Sequence, residues 1–140
     1  MTELELLIKY LNDQLASEYE AVFTYLYYSA KIEEEDVGQV LMEFAHEELE
    51  HACLLTRMIL NLGGDPILTL PQMDKKKSLL AMLVFSQASE DSAIKKYQMI
   101  RQLLDDPQNI EIIDRTIEQE KKHHQQMTDI FETLKEIRRK

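Results

Sequence analysis

Four glutamates and two histidines occur at a fixed spacing in this sequence of 140 residues. Each histidine follows a glutamate by three positions, and a further glutamate lies 30 positions before each of those pairs. Carboxylate oxygens combined with imidazole nitrogens suit iron or manganese, whereas magnesium and calcium prefer oxygen ligands alone. The pattern therefore predicts metal chemistry if the fold brings the side chains together. The six residues are Glu18, Glu48, His51, Glu90, Glu120 and His123.

The sequence also repeats itself at an offset of 72 positions. The offset relates both glutamate–histidine pairs, the glutamates that precede them and several neighbouring residues. Such a repeat indicates the internal duplication of a helix pair, which would give a site with approximate two-fold symmetry. The equivalent residues are Ala16 and Ala88, Ser17 and Ser89, Glu18 and Glu90, Ala21 and Ala93, Tyr25 and Tyr97, Glu48 and Glu120, and His51 and His123.

Few residues interrupt the helical periodicity, because the chain has only three glycines and three prolines. These breakers separate segments in which apolar residues recur at spacings of three and four, as in amphipathic helices. The breakers are Gly38, Gly63, Gly64, Pro66, Pro71 and Pro107. The predicted helices lie at about 3–31, 36–62, 74–104 and 108–138. We expect Asp36 to cap the second helix and Gly63 to follow its last turn.

Connection lengths then predict the topology. Short connections join the first helix to the second and the third to the fourth, so these neighbours should be antiparallel. The connection of about 11 residues between the second and third helices extends to about 36 Å, against about 40 Å for a helix of about 27 residues. It can therefore cross nearly the whole molecule. The expected fold is all-α, a single domain over 1–140 that forms an antiparallel four-helix bundle with one long crossover.

Each predicted helix carries one of the four glutamates midway along its apolar stripe, and two helices add a histidine one turn later. A buried carboxylate without a partner is costly, so the pattern requires compensating charge. Two divalent ions carry four positive charges, which balance four carboxylates. Without them, some of the carboxylates would have to be protonated. The six residues are therefore predicted to bind two divalent metal ions in the core.

The composition indicates which binding partners and which cellular compartment to expect. Lys and Arg number 16 and Asp and Glu number 26, which gives a net charge of −10. Nucleic-acid backbones and anionic membranes require basic patches, so we expect neither as a partner. The single cysteine excludes an intrachain disulfide and a site built from cysteines alone. With no signal-peptide pattern and no apolar run long enough to span a bilayer, we expect a cytoplasmic protein.

With this ligand pattern, the sequence resembles the ferritin-like di-iron carboxylate superfamily, and within it the bacterioferritins and rubrerythrins. The likeness extends over nearly the whole chain. It is carried by LNDQLASEYEAVFTY at 11–25, EELEHACLLTRMILNLGGDP at 47–66 and IEQEKKHHQQM at 117–127. Members of this superfamily take one glutamate from each of two helices and a Glu-x-x-His motif from each of the other two.

The resemblance implies a role for each residue. Glu48 and Glu120 would bridge the two metals and would be the catalytic residues. Tyr25 and Tyr97 would hydrogen-bond ligand carboxylates and so orient them around the cofactor. The other ligands would divide between the two metals, with Glu18 and His51 on one and Glu90 and His123 on the other.

The sequence departs from the family pattern at several positions, and these departures bear on the expected cofactor, assembly and activity. Leu49 stands where bacterioferritins carry their haem-binding methionine, so no haem is expected. Only 17 residues follow His123, which leaves little room for the fifth helix of cage-forming relatives and favours a homodimer over a 24-subunit cage. The single cysteine excludes the rubredoxin module of rubrerythrins, so electrons would come from iron or an external donor. Rubrerythrins carry an additional glutamate one turn after the ligand of the third helix, and Ala93 stands at that position here. The absence of that glutamate favours ferroxidase over peroxidase chemistry.

Three functions remain open at this point. The first is a di-iron oxidoreductase in which two Fe(II) ions react with O₂ or H₂O₂, for iron handling or protection from oxidative stress. The second is a di-manganese catalase-like enzyme with the same ligands, since ligand type barely separates iron from manganese. The third is a non-enzymatic, metal-stabilised helical interaction module.

Overall fold

A computed structural model describes residues 1–68, 70–75 and 77–139, with the backbone alone at Arg139. Over these ranges the chain forms four helices and no strand, which confirms the predicted all-α four-helix bundle. In the same ranges no helix is both long enough and apolar enough to cross a membrane. The helices are α1 (Glu3–Lys31), α2 (Glu35–Asn61), α3 (Leu79–Leu103) and α4 (Pro107–Arg139).

The ends of the helices follow local capping chemistry. Thr2 caps α1 by accepting a hydrogen bond from the Glu5 amide at 3.0 Å. After α2, Gly63 adopts a φ of 83°, and the Gly64 amide donates to the Ile59 carbonyl at 2.9 Å. This is the left-handed helix ending that favours glycine, and it confirms the role expected of Gly63.

Two predictions about helix starts were wrong. The third helix begins at Leu79 and not near residue 74, because the Ser78 hydroxyl accepts a hydrogen bond from the Ala81 amide at 3.1 Å. The crossover therefore runs over 62–78. Asp36 is not the cap of α2: it lies in the first turn, and the capping position belongs to Glu34, whose side chain makes no capping hydrogen bond.

Gly38 lies inside α2, within the range predicted for the second helix, and its role is in packing. It lies buried in the first turns of α2, where α1 approaches closely. A Cβ atom at this position would lie 2.9 Å from the Ser29 carbonyl oxygen and 3.2 Å from Cγ2 of Ile32. The glycine therefore permits close packing between the first two helices.

The apolar core consists of two clusters with a polar layer between them. On α1, Leu7 to Leu15 belong to the first cluster and Tyr25 and Tyr28 to the second, with Glu18 between them. Helix α4 follows the same order, whereas α2 and α3 run from the second cluster to the first, and on each helix the glutamate lies between the two clusters. Helix α1 packs chiefly on α2 and α3 chiefly on α4, while α1 also contacts α3 and α2 contacts α4. The bundle therefore brings the four glutamates to one level.

Candidate metal centre

The six side chains predicted from sequence lie together in the polar layer. None is more than 3% exposed to solvent, although charged side chains are almost never fully buried unless they are paired. Two glutamate–histidine pairs come from α2 and α4, and single glutamates come from α1 and α3. The helices provide a rigid frame, and the i, i+3 spacing places each glutamate and its histidine on one face.

The six residues form two overlapping groups of potential ligands. In each group, one oxygen or nitrogen atom per residue lies within 4.8 Å of the corresponding atoms of the others. Glu48 and Glu120 belong to both groups, which is the position that bridging ligands would occupy. The first group is Glu18, Glu48, His51 and Glu120, and the second is Glu48, Glu90, Glu120 and His123.

One buried atom on each of these six residues has no hydrogen-bond partner within the described chain. Such atoms are costly, because burial removes their contacts with water and the only polar atoms near them belong to the other members of the set. Two divalent cations would satisfy all six and would balance the four carboxylate charges. The donor set therefore fits a pair of such ions. The atoms are Glu18 Oε2, Glu48 Oε1, His51 Nδ1, Glu90 Oε2, Glu120 Oε1 and His123 Nδ1.

Both histidines turn Nδ1 toward the carboxylates. Nδ1 of His51 lies 2.8 Å from Oε1 of Glu120, and Nδ1 of His123 lies 2.9 Å from Oε1 of Glu48. Each histidine therefore approaches the bridging glutamate of the other helix pair. The two imidazole rings stack with their centroids 6.2 Å apart. This geometry has the approximate two-fold symmetry that the sequence repeat predicts.

The outer ring nitrogens reach two residues that the sequence analysis did not identify. Nε2 of His51 lies 2.5 Å from Oε1 of Gln119, and Nε2 of His123 is bonded to Oε2 of Glu47. An acceptor at the outer nitrogen favours the tautomer with its N–H there, so that Nδ1 would be the nitrogen that binds a metal. Glu47 and Gln119 are related by the same 72-residue offset. That relationship was the available signal, although the two residue types differ.

The two predicted tyrosines do contact ligand carboxylates, and they do so across the helix pairs. The hydroxyl of Tyr97 on α3 donates to Oε1 of Glu18 on α1 at 2.6 Å. The hydroxyl of Tyr25 on α1 donates to Oε1 of Glu90 on α3 at 2.9 Å. Each bond satisfies one carboxylate oxygen and leaves the other available. The tyrosines therefore orient the two terminal glutamates.

Burial and crowding shift the pKa values of these groups. Desolvation, followed by the charges of neighbouring glutamates, raises the pKa of Glu48 well above its usual range. Desolvation and the contact with Glu120 do the same for Glu90. Although burial opposes it, hydrogen bonding to Glu120 raises the pKa of His51 to about 11. Burial likewise opposes ionisation of Glu120, but contacts with Glu90 and His51 lower its pKa to about 2. The site thus holds protons that metal ions would displace.

A pocket of about 180 Å³ leads from the surface between α1 and α3 to the ligand carboxylates. Glu18 and Glu90 form part of its wall, and Ala93 and Lys96 line it on the α3 side. Its volume is enough for a few molecules the size of water. The pocket therefore places space for small molecules directly beside the carboxylates.

Comparison with known proteins supports the four-helix fold described above. A family model for the ferritin-like domain matches residues 8–137. A bacterioferritin from Desulfovibrio desulfuricans superposes with a TM-score of 0.86 at 20% sequence identity, over 96% of this chain and 82% of that one. A ferritin-like di-iron-carboxylate protein from Bacillus anthracis strain Ames gives a TM-score of 0.79 at 25% identity, over 94% and 99% of the respective chains. No curated protein sequence matches the chain.

Proposed function

Since the chain belongs to the ferritin-like domain family, we propose that it binds two iron ions in the bundle core and oxidises Fe(II) with O₂ or H₂O₂. The observation that carries this proposal is the set of six buried oxygen and nitrogen atoms, one on each predicted ligand, that lie in two overlapping groups and have no hydrogen-bond partner outside the six residues. Structural histidines and glutamates in a core are normally paired. Six orphaned donors in two overlapping groups support a site for two cations.

In this proposal Glu48 and Glu120 bridge the ions, because each belongs to both ligand groups. His51 and His123 contribute Nδ1, and the terminal glutamates contribute the oxygen that their tyrosine leaves free. A pair of Fe(II) ions supplies two electrons to the oxidant. The protein supplies a site that is largely closed to water apart from the pocket, and carboxylates that balance the charge on the ions.

The pocket between α1 and α3 supports ferroxidase rather than peroxidase chemistry. Ala93 lies in its wall, one turn after Glu90, where the resemblance to rubrerythrins would require a further carboxylate. A methyl group at this position can neither bind a metal nor exchange a proton with a peroxide. We therefore infer that oxidation of Fe(II), with iron as the substrate, is the principal activity.

A manganese enzyme with catalase-like activity is the second candidate, because the same donors accept either metal. Elemental analysis after anaerobic incubation with equal Fe(II) and Mn(II) separates the two candidates. We expect two irons per chain. Two manganese ions, together with rapid dismutation of H₂O₂ without an external reductant, would favour the catalase instead. Retention of neither metal would contradict both.

The activity can be tested with a variant that removes one bridging ligand. In Glu48→Ala, we expect metal retention to fall below two ions per chain and Fe(II) oxidation to fall to the uncatalysed rate. The matched control is Glu50→Ala, which removes an exposed glutamate from the same helix. Oxidation by Glu48→Ala at the wild-type rate would contradict the site assignment.

Assembly and partners are part of the same proposal. We infer a cytoplasmic homodimer that uses O₂ or H₂O₂ and, where the iron must be re-reduced, an external electron donor. Exposed apolar side chains on the first two helices, at Phe23, Leu26 and Leu49, support self-association. Light scattering at micromolar concentration should give twice the chain mass of 16.5 kDa, and a monomer or a cage would contradict the dimer.

A further inference from the structure

The two halves of the metal centre differ in the group that accepts the outer N–H of each histidine. Nε2 of His123 is bonded to a carboxylate, that of Glu47, whereas Nε2 of His51 is bonded to an amide, that of Gln119. The six ligands themselves are identical in type at equivalent positions. The symmetry of the centre is therefore broken one layer outside the ligands.

We propose that Glu47 makes the metal position beside His123 the tighter of the two, so that it is filled before the position beside His51. This inference rests on the proposed function only in requiring that the centre binds two metals. It concerns the order of binding and adds no new ligand.

The physical reason is the charge of the outer acceptor. A carboxylate that accepts the outer N–H makes the imidazole more electron-rich at its other nitrogen, which strengthens its bond to a cation. A neutral amide does so far less. The carboxylate also places a negative charge on the outer side of the ring, where it attracts the bound cation. Both effects favour His123.

Other differences between the two positions are small. The outer acceptors both reach solvent, although Glu47 is partly buried and Gln119 is exposed, so the charge of Glu47 is not the more strongly screened of the two. Each terminal glutamate is held by one tyrosine, at 2.6 Å and 2.9 Å. Each histidine approaches one bridging glutamate, at 2.8 Å and 2.9 Å. Replacing a residue that hydrogen-bonds a metal ligand changes metal affinity by about 10-fold to 100-fold. Because Glu47 reaches solvent, we expect the effect of replacing it to lie near the lower end of that range.

The test is the location of metal at half occupancy. Crystals grown with one equivalent of Co(II) per chain should show a larger anomalous-scattering peak beside His123 than beside His51. The double variant Glu47→Gln/Gln119→Glu keeps the net charge and should reverse the order. Equal peaks in the wild-type protein, or an order that the double variant leaves unchanged, would overturn the proposal while leaving the two-metal site intact.

Calorimetric titration of the metal-depleted protein with Co(II) supplies a second measurement. Glu47→Gln should weaken the tighter of the two dissociation constants by about 10-fold. Glu50→Gln, the same chemical change at an exposed position of the same helix, should leave both constants unchanged. If Glu47→Gln behaves like Glu50→Gln, the inference fails. If the wild-type protein retains no Co(II), both the inference and the proposed function fail.

Discussion

Tyr25 and Tyr97 each hold a carboxylate that belongs to the opposite helix pair. Tyr25 lies on α1 and bonds Glu90 on α3, while Tyr97 lies on α3 and bonds Glu18 on α1. Burial and the nearby carboxylates raise the pKa values of both hydroxyls well above their usual range, so both remain protonated donors. The two bonds therefore connect the halves of the bundle through the terminal ligands.

Tyr97→Phe should weaken metal binding without abolishing it. Within the described chain, the Tyr97 hydroxyl is the only one that donates a hydrogen bond to Glu18. Its removal leaves that carboxylate freer to rotate. We expect Co(II) affinity to fall by about 10-fold and the free energy of unfolding to fall by about 2 kcal/mol, because a buried hydrogen bond to a carboxylate is lost.

Tyr28→Phe is the matched control for this prediction. Tyr28 is as buried as Tyr25, but its hydroxyl donates to the Lys77 carbonyl at 2.7 Å and not to a ligand. This variant should lose stability yet keep the wild-type metal affinity. Equal metal affinities in Tyr97→Phe and the wild-type protein, measured by calorimetry, would show that the tyrosine does not orient the ligand.

The candidate ligands and the two tyrosines that contact them could be predicted from the sequence, whereas the pairing of each tyrosine with its carboxylate could not. Glutamates stand out in an apolar stripe, and their shared 72-residue offset argues against coincidence. The offset shows which residues are equivalent but not which residues meet across the bundle. It therefore did not predict that each tyrosine would bond the glutamate of the other helix pair. Glu47 and Gln119 escaped notice for another reason: both reach solvent, where a polar residue is expected.

At the scale of helices, periodicity located all four elements, and the errors arose at their ends. The start of α3 depends on a single hydroxyl, that of Ser78, and residues 74–78 could have continued the helical pattern. The packing role of Gly38 was not predicted, because a glycine in sequence indicates either a break or a close approach. Only the position of α1 decides between the two, and that position is a property of the folded bundle.

Gly38→Ala should destabilise the protein, although alanine normally favours a helix over glycine by about 1 kcal/mol. The added Cβ would lie 2.9 Å from the backbone carbonyl oxygen of Ser29. Relieving this contact requires a shift of the helix backbone, which costs packing energy. We expect a net loss of about 1–3 kcal/mol in the free energy of unfolding, measured by urea denaturation. Gln39→Ala, at the exposed neighbouring position, should change it by less than about 0.5 kcal/mol. A more stable Gly38→Ala variant would contradict the close approach.

At the scale of the whole molecule, the polar layer divides the apolar core and makes stability depend on metal and protons. Two apolar clusters stabilise the bundle on either side, while four carboxylates and two imidazoles lie between them. With no cation bound, mutual repulsion is reduced only when some carboxylates carry protons. Protons and metal ions therefore compete for the same atoms, so loading must depend on pH.

The metal-depleted protein should lose stability as the pH rises from 5 to 8. The pKa values of Glu48 and Glu90 are raised, so over this range the folded chain keeps protons that the unfolded chain has released. His51, with its pKa raised to about 11, acts in the same direction above its ordinary value of 6.5. Glu120 does not oppose this trend, because the stability from its lowered pKa of about 2 is lost only in stronger acid. Each retained proton lowers the free energy of unfolding by about 1.4 kcal/mol per pH unit.

Bound metal should reverse this trend, because cations replace the protons and bind more tightly as the ligands ionise. The increase in melting temperature caused by saturating Co(II) is therefore expected to grow steadily between pH 5 and pH 8. In the metal-depleted double variant Glu48→Gln/Glu90→Gln, two of the retained protons are absent, so the dependence of stability on pH should flatten. Metal-depleted wild-type protein that grows more stable over this range would show that the glutamates are ionised in the fold, and the polar layer would then need a source of positive charge other than protons.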